Sequence, residues 1–217
     1  MPDCHGPADY LATLQTVNAF AADQKRSEIL RLLEMVRDLR PQRLCEIGSA
    51  EGGTLFLFAQ TCDPTTHLIS VDICYSAARR RWFPRFARPG QTITCVEADS
   101  HDPATVRRLR ELLSGEKLDF LFIDGDHSYN GAAQDFEMYA PLVHSGGLIG
   151  FHDIVPDFRT RFGAPTKSDV GEVPRFWAEL KKRYPGCEEL IDDPDQDGYG
   201  IGVLHWDGEL RESLLSR

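Results

Sequence analysis

The chain has 217 residues, 34 of them acidic and 24 basic, and its formal net charge is −10. Hydrophobic residues make up 41% and charged residues 27%, an ordinary globular composition in a chain long enough to bury a sheet between two helix layers. The acid excess argues against partners held by bulk phosphate charge, so neither nucleic acid nor a membrane surface is expected as a partner.

No apolar run reaches the roughly 20 residues that a membrane helix needs. The opening MPDCHGPADY has neither the basic nor the apolar region of a secretory signal. The six cysteines (Cys4, Cys45, Cys62, Cys74, Cys95, Cys187) contain no C-x-x-C pair, which removes support for a zinc ribbon or a dithiol centre. A reducing cytoplasm is the expected compartment.

In chain order, QKRSEILRLLEMVRDLR (24–40) carries apolar residues at helical spacing, and Pro41 closes that helix. The strand RLCEIG (43–48) leads through a glycine-rich turn to a helix starting near Thr54. HLISVD (67–72) and TITCVEAD (92–99) read as strands. Asp102 and Pro103 are an N-cap and a first-turn proline for the helix ATVRRLRELL (104–113). LDFLFIDGD (118–126) is a near-continuous apolar strand, the pattern of burial on both faces. A helix over about 131–140, the strand GGLIGFHD (146–153) and the helix VPRFWAELKKRY (173–184) follow. CEELIDD (187–193) and YGIGVLHW (199–206) read as a terminal hairpin.

This alternation predicts βαβ crossovers and a Rossmann-like, doubly wound α/β fold. Its seven-stranded sheet should be mostly parallel, with an antiparallel C-terminal edge strand and helices on both faces. One domain over 1–217 is expected: an N-terminal extension (1–23), a core (24–206) and a C-terminal tail (207–217).

Glu46, Asp72, Asp99, Asp124 and Asp153 fall at or beside the carboxyl ends of successive strands, separated by 26, 27, 25 and 29 residues. Ligands of open parallel sheets bind outside those ends. Acids repeated along one rim suit hydroxyls, ammonium groups or a metal, although Asp also serves as a turn or capping residue there. The turn CEIGSAEGG (45–53) spaces its glycines as Gly48-x-x-x-Gly52-Gly53. In the dinucleotide fingerprint a glycine stands where Ala50 is, so that the backbone can approach a pyrophosphate. Glu46 and Glu51 add negative charge there. Such a turn suits a cationic ligand without phosphates, such as S-adenosylmethionine. Asp72 is placed to accept the ribose hydroxyls, Asp99 and Ser100 to meet the adenine edge, and Ser49 to bond the methionine carboxylate.

The segments EIGSAEGGT, VEADSHD, IDGDHSY, GGLIGFHD and VPRFW resemble class I S-adenosylmethionine-dependent methyltransferases. More narrowly, they resemble the bacterial group of macrocin O-methyltransferase-like and cephalosporin-hydroxylase-like enzymes, over roughly residues 24–206. The resemblance implies methyl transfer to a small molecule, with O-methylation of a sugar or natural product expected first. It also implies, in some members, a divalent cation (Mg²⁺ or Mn²⁺) bound by the Asp that opens the fourth-strand motif and by an acidic pair that ends the fifth strand. Asp124 and Asp153 match, but His152 stands where metal-dependent relatives carry Glu. A histidine ligand favours Mn²⁺, Fe²⁺ or Zn²⁺ over Mg²⁺. The alternative is that Asp124 and Asp153 orient His127 or cofactor groups without a metal, with Asp126 as a further acid nearby.

His127 is the candidate general base, since an imidazole titrates near neutrality. Tyr129 stands beside it as a wall or packing residue, and Gln24 opens a helix that could close over the cofactor. Phe151, Phe176 and Trp177 are expected in the core. The cluster Arg79, Arg80, Arg81, Arg85 and Arg88 reads as a solvated helix face, with a lid or an anion grip as the sharper reading. The acids of 187–198 read as a solvated turn. N- or C-methylation without metal and a nicotinamide-dependent oxidoreductase are the competing activities. A small molecule is the expected partner, and homo-oligomerisation is left open.

Overall fold

The computed structural model describes Gly6 and residues 22–215. Most of the expected N-terminal extension, with Cys4, lies outside the described residues, as do the last two residues of the tail. Seven strands form one sheet: β1 (Arg43–Ile47), β2 (His67–Asp72), β3 (Thr92–Glu97), β4 (Leu118–Ile123), β5 (Val143–His152), β6 (Cys187–Leu190) and β7 (Ile201–His205). Their order is β3-β2-β1-β4-β5-β7-β6. The first five run parallel, and β7 lies antiparallel to both β5 and β6. The terminal hairpin therefore supplies the antiparallel strand as expected, with β6 folded outside it.

The helices are α1 (Arg26–Leu39), α2 (Gly53–Thr61), α3 (Ala77–Trp82), α4 (Pro103–Leu113), α5 (Tyr129–Tyr139), α6 (Phe158–Phe162) and α7 (Val173–Arg183). The local signals act where they were read. Arg40 ends α1 in a left-handed conformation just before Pro41, and the Asp102 carboxylate accepts the Ala104 amide with Pro103 in the first turn of α4. Ser128 caps α5 through the Gly131 amide. The short helix α3 carries Arg79, Arg80 and Arg81 on the solvated helix face expected there, whereas α6 was not expected. Neither has a buried residue, so neither carries an apolar stripe.

Two apolar layers enclose the sheet. One joins β1, β2 and β4 to Leu109 and Leu113 of α4, Phe136 of α5, and Phe176 and Trp177 of α7. The other packs Ile29 and Leu33 of α1, Leu55 and Phe58 of α2, and Phe83 against the opposite face. Phe151, Phe176 and Trp177 are core residues, each at most 1% exposed. Phe136 makes ring contacts with Phe151, Phe176, Tyr184 and Trp206.

Along the chain, β1 to β3 proceed toward one edge of the sheet, and β4 then starts on the other side of β1. The carboxyl ends of β1 and β4 are thus the switch point at which open α/β sheets bind ligands. Because Phe136 ties β5, α7 and the C-terminal segment into one cluster, Phe136→Ala should cost about 3–5 kcal/mol of stability by cavity formation. Urea unfolding checks this, and a loss below about 1 kcal/mol would show that the cluster closes over the gap.

Candidate active site

A cavity of about 550 Å³ opens at that switch point. Gly48, Asp72, Asp99, Ser100 and Asp124 all line it. Glu46, Ser49, Gly52 and Gly53 stand behind that lining. The Ser49 hydroxyl pairs with the Ser70 hydroxyl at 2.5 Å, Gly53 starts α2, and a Cβ on Gly52 would strike the Phe83 ring at 2.3 Å.

Glu46 is fully buried within β1, and neither carboxylate oxygen has a hydrogen-bond partner among the described residues. Burial, with the charges of Asp124 and Asp72 adding to it, pushes its carboxyl up to about 8. Asp72 is engaged: one oxygen accepts the amides of Ser49 (3.0 Å) and Ala50 (3.2 Å), and the other accepts the Cys74 amide. Asp72 thereby shapes the turn, with Ala50 held at φ +39°.

Beside the cavity Asp124 meets two histidines and a second acid. Asp124 Oδ1 and Asp153 Oδ2 each lie 3.3 Å from His152 Nδ1. His127 Nε2 stands 3.7 Å from the former and 3.5 Å from the latter. His127 Nδ1 donates to the Asp169 carbonyl at 2.5 Å, which aims Nε2 at the carboxylates. Burial opposes ionisation of Asp124, but the imidazoles of His152 and His127 outweigh it and hold the carboxyl below the ordinary range. Burial also opposes charging of His152, and Asp124 and Asp153 reverse that effect. The Asp124 carboxylate, against burial and with help from Asp153, holds His127 up to about 9.

Ligand atoms of Asp124, His152 and Asp153 lie within 4.8 Å of one another. Two carboxylates and an imidazole suit a divalent transition metal. Gln24 reaches this cluster: its amide donates to Asp124 Oδ2 at 3.4 Å and its carbonyl accepts from Thr54. Tyr129 is buried against Phe176, so it packs and does not line the cavity. Asp126 lines the cavity and caps its own loop by accepting the Ser128 amide.

Among the titratable lining residues, His101 was not singled out in the sequence, and Arg79 was read only as part of its arginine cluster. Arg79, one of five in its cluster, bonds Glu51 at 2.5 Å across the cavity mouth. That pairing neutralises Glu51, and Glu46 holds its proton, so what stands against a pyrophosphate is the side chain of Ala50 where the fingerprint has a glycine. His101 lies two residues beyond Asp99 in VEADSHD, where its proximity to a strand-end acid was the available signal. The Arg80 guanidinium pairs with Glu97, and Arg81 and Arg85 stack on Trp82.

A family described as a methyltransferase domain matches residues 45–154. The chain belongs to that methyltransferase family. It is 35% identical over 112 residues to the uncharacterized protein R132 of Acanthamoeba polyphaga mimivirus, covering 50% of this chain and 49% of that protein. It is 26% identical over 145 residues to the rhamnosyl O-methyltransferase of Mycobacterium tuberculosis H37Rv, covering 61% of this chain and 56% of that enzyme. The chain thus spans about half the length of these relatives. Its fold matches an O-methyltransferase from Bacillus cereus in complex with SAH, with TM-score 0.63 at 18% identity over 92% of this chain and 90% of that one. It also matches the O-methyltransferase TomG of Streptomyces achromogenes in complex with SAM, with TM-score 0.59 at 13% identity over 92% and 89% of the two chains. No helix among the described residues is long and apolar enough to cross a membrane.

The buried Glu46 has a consequence for stability. The folded protein holds its proton up to about 8 instead of the ordinary 4.5, so between those values the folded state binds more protons than the unfolded chain. Stability must fall as pH rises through that window. Glu46→Gln should flatten the fall and raise stability at pH 9 by an amount on the order of several kcal/mol. Melting temperatures measured from pH 5 to 9 check this, and parallel curves for variant and wild type would refute it.

Proposed function

We propose that this methyltransferase moves a methyl group from S-adenosylmethionine to a hydroxyl of a small molecule, a sugar or natural product, with His127 as general base and a divalent cation at Asp124, His152 and Asp153. The observation that carries the reading is that the cavity and the acid–histidine cluster share Asp124. A donor in the cavity and an acceptor at the cluster would then meet across one residue. The neighbours support donor and acceptor alike: two are O-methyltransferases in complex with SAH or SAM, and one relative is a rhamnosyl O-methyltransferase.

In the cavity, Asp99 and Ser100 would face the adenine. Asp72 would accept from the ribose, and Gly48 would let the chain pass close beneath. Glu46, Ser49, Gly52 and Gly53 would act from behind, holding the turn and supplying a carboxyl near the cationic end of the donor. Bound in the cavity, the donor would supply an activated methyl group on a good leaving group, and the proton lost from the acceptor oxygen would go to His127. The protein's tasks are to align the oxygen, exclude water and take its proton.

His127 is oriented for proton removal because the Asp169 carbonyl fixes Nδ1 and leaves Nε2 toward the cluster. A protonated His127 cannot act as base, and the carboxylates that favour its proton are those of Asp124 and Asp153. A bound cation would neutralise those two carboxylates and lower the pKa of a coordinated hydroxyl. Metal-free N- or C-methylation predicts a cluster indifferent to cations.

Calorimetric titration tests the cofactor directly. S-adenosylmethionine should bind and NAD should not, and the reverse result would overturn the proposal. Mn²⁺ should bind the wild type and fail to bind Asp153→Asn; equal binding by both would remove the metal from this cluster. With an acceptor in hand, His127→Ala should keep cofactor affinity while kcat falls by roughly 10²–10⁴, and unchanged turnover would exclude His127 as base.

A further inference from the structure

A second acid–histidine pair, Asp135 and His101, stands at the part of the cavity wall that follows β3. Asp135, on α5, is fully buried, and neither of its oxygens has a hydrogen-bond partner among the described residues. Its Oδ1 stands 3.3 Å from His101 Nε2. Its Oδ2 lies beneath Gly125, at 3.3 Å from where a Cβ on that glycine would sit. A buried carboxylate is costly unless paired with a charge, and His101 is the cation within reach.

The same helix holds the rest of that rim. The Tyr139 hydroxyl donates to the Ser100 carbonyl at 2.8 Å, and the Gln134 amide donates to the His101 carbonyl at 3.3 Å. Residues 134, 135 and 139 of α5 therefore fix both the backbone and the ring of the segment after β3. The bond from the fully buried Tyr139 satisfies its hydroxyl, and the helix holds this segment beyond the end of β3 at Glu97. The segment it fixes is cavity wall: Asp99, Ser100 and His101 all line the space.

Each ring nitrogen faces an acid at ion-pair distance. Nε2 faces Asp135, while Nδ1 stands 3.9 Å from Asp99 Oδ1, beyond hydrogen-bond distance. The Asp99 oxygen on that side already accepts the His101 amide at 2.8 Å, which leaves the carboxylate anchored but able to accept more. The wall thus presents an N–H donor next to a carboxylate acceptor. An adenine shows the complementary pair along one edge, the N1 acceptor beside the 6-amino donor. Hypoxanthine shows the reverse pattern there, with N1–H beside a carbonyl oxygen.

We infer that His101, held by the buried carboxylate of Asp135, reads the nucleobase of the methyl donor together with Asp99. His101 is a specificity-determining residue and Asp135 its positioning residue. The assignment rests on the S-adenosylmethionine reading above. The charged groups facing His101 are Asp135 from α5, Asp99 from its own loop and Asp126 from the loop after β4; chiefly through Asp135, they hold its imidazole up to about 8, so the ring carries both N–H donors at neutral pH.

Titration with S-adenosylhomocysteine and with S-inosylhomocysteine tests the inference on the whole chain. The wild type should bind the adenosyl compound at least tenfold more tightly than the inosyl one. His101→Ala should lose about tenfold or more in affinity for the adenosyl compound, the size of a charge-assisted hydrogen bond, and its preference between the two should narrow. His101→Gln, which keeps a donor, should recover part of the loss. Asp135→Asn should weaken binding while the His101 proton-resonance titration moves from about 8 toward the ordinary imidazole value, an effect that loss of packing alone does not produce. Affinity and selectivity of His101→Ala within twofold of wild type would overturn the inference and leave the methyl-donor reading standing. Failure of the wild type to bind S-adenosylhomocysteine would overturn both.

Discussion

The contact between the ends of β1 and β4 is the constraint on which the site depends. The Asp124 amide donates to the Ile47 carbonyl at 2.8 Å, so the two strands stay paired to their last residue. The next residue of β1's turn, Gly48, has φ +79°, and a Cβ there would lie 2.0 Å from the Asp124 carbonyl oxygen. Only a residue without a side chain lets the turn pass this close. That approach sets the turn against Asp124, with Asp72 and Asp99 to one side and His152 and Asp153 to the other. The cavity and the cluster are two halves built outward from one close backbone contact.

Acidity along this rim is locally balanced, which the net charge of −10 does not convey. Asp124 and Asp153 face His127 and His152, Asp135 faces His101, and Glu51 faces Arg79. Glu46 has no counter-ion and holds its proton instead. Each of these rim acids is thus either paired with a basic group or neutral, as the cost of an isolated buried charge requires. A ligand that brings a cation to the rim competes with an imidazolium for the same carboxylate. Proton release and ligand binding at these histidines are therefore linked.

The fold was legible because its signals are local and repeat. Strand-end acids at 25–29 residue intervals record the length of one strand–helix unit, and Pro41, Asp102 and Pro103 act within a few residues of themselves. Five of the proposed cofactor positions line one cavity for the same reason: they share a place in the repeat. What stayed hidden is tertiary. Asp169 holding His127, Asp135 holding His101 and Arg79 holding Glu51 join residues 42, 34 and 28 positions apart. Nothing in the immediate neighbourhood of either partner announces such a pair. The loop that carries Asp169 is also the stretch with the least periodicity.

One detail at the cluster shows how local strain and function meet. Side chains of consecutive residues in a strand point to opposite faces, so His152 and Asp153 should diverge at the end of β5. Instead both reach toward Asp124, with His152 Nδ1 at 3.3 Å from the carboxylate oxygens of Asp124 and Asp153 alike. The backbone makes this possible by turning Asp153 into the left-handed region at φ +62°, which is uncommon for a residue with a side chain. The turn is held from outside: the next two amides, of Ile154 and Val155, donate to the carbonyls of Gly200 and Tyr199. Tyr199 is itself left-handed at φ +61°, and the adjoining Gly200 amide bonds the buried Glu28 carboxylate on α1. A strained conformation persists where surrounding bonds over-determine it, and here they run from α1 through the β6–β7 loop to β5. Relaxing Asp153 to an extended conformation would restore alternation and swing its carboxylate away from His152 and His127. The strain is therefore what converts two neighbouring strand residues into two members of one cluster.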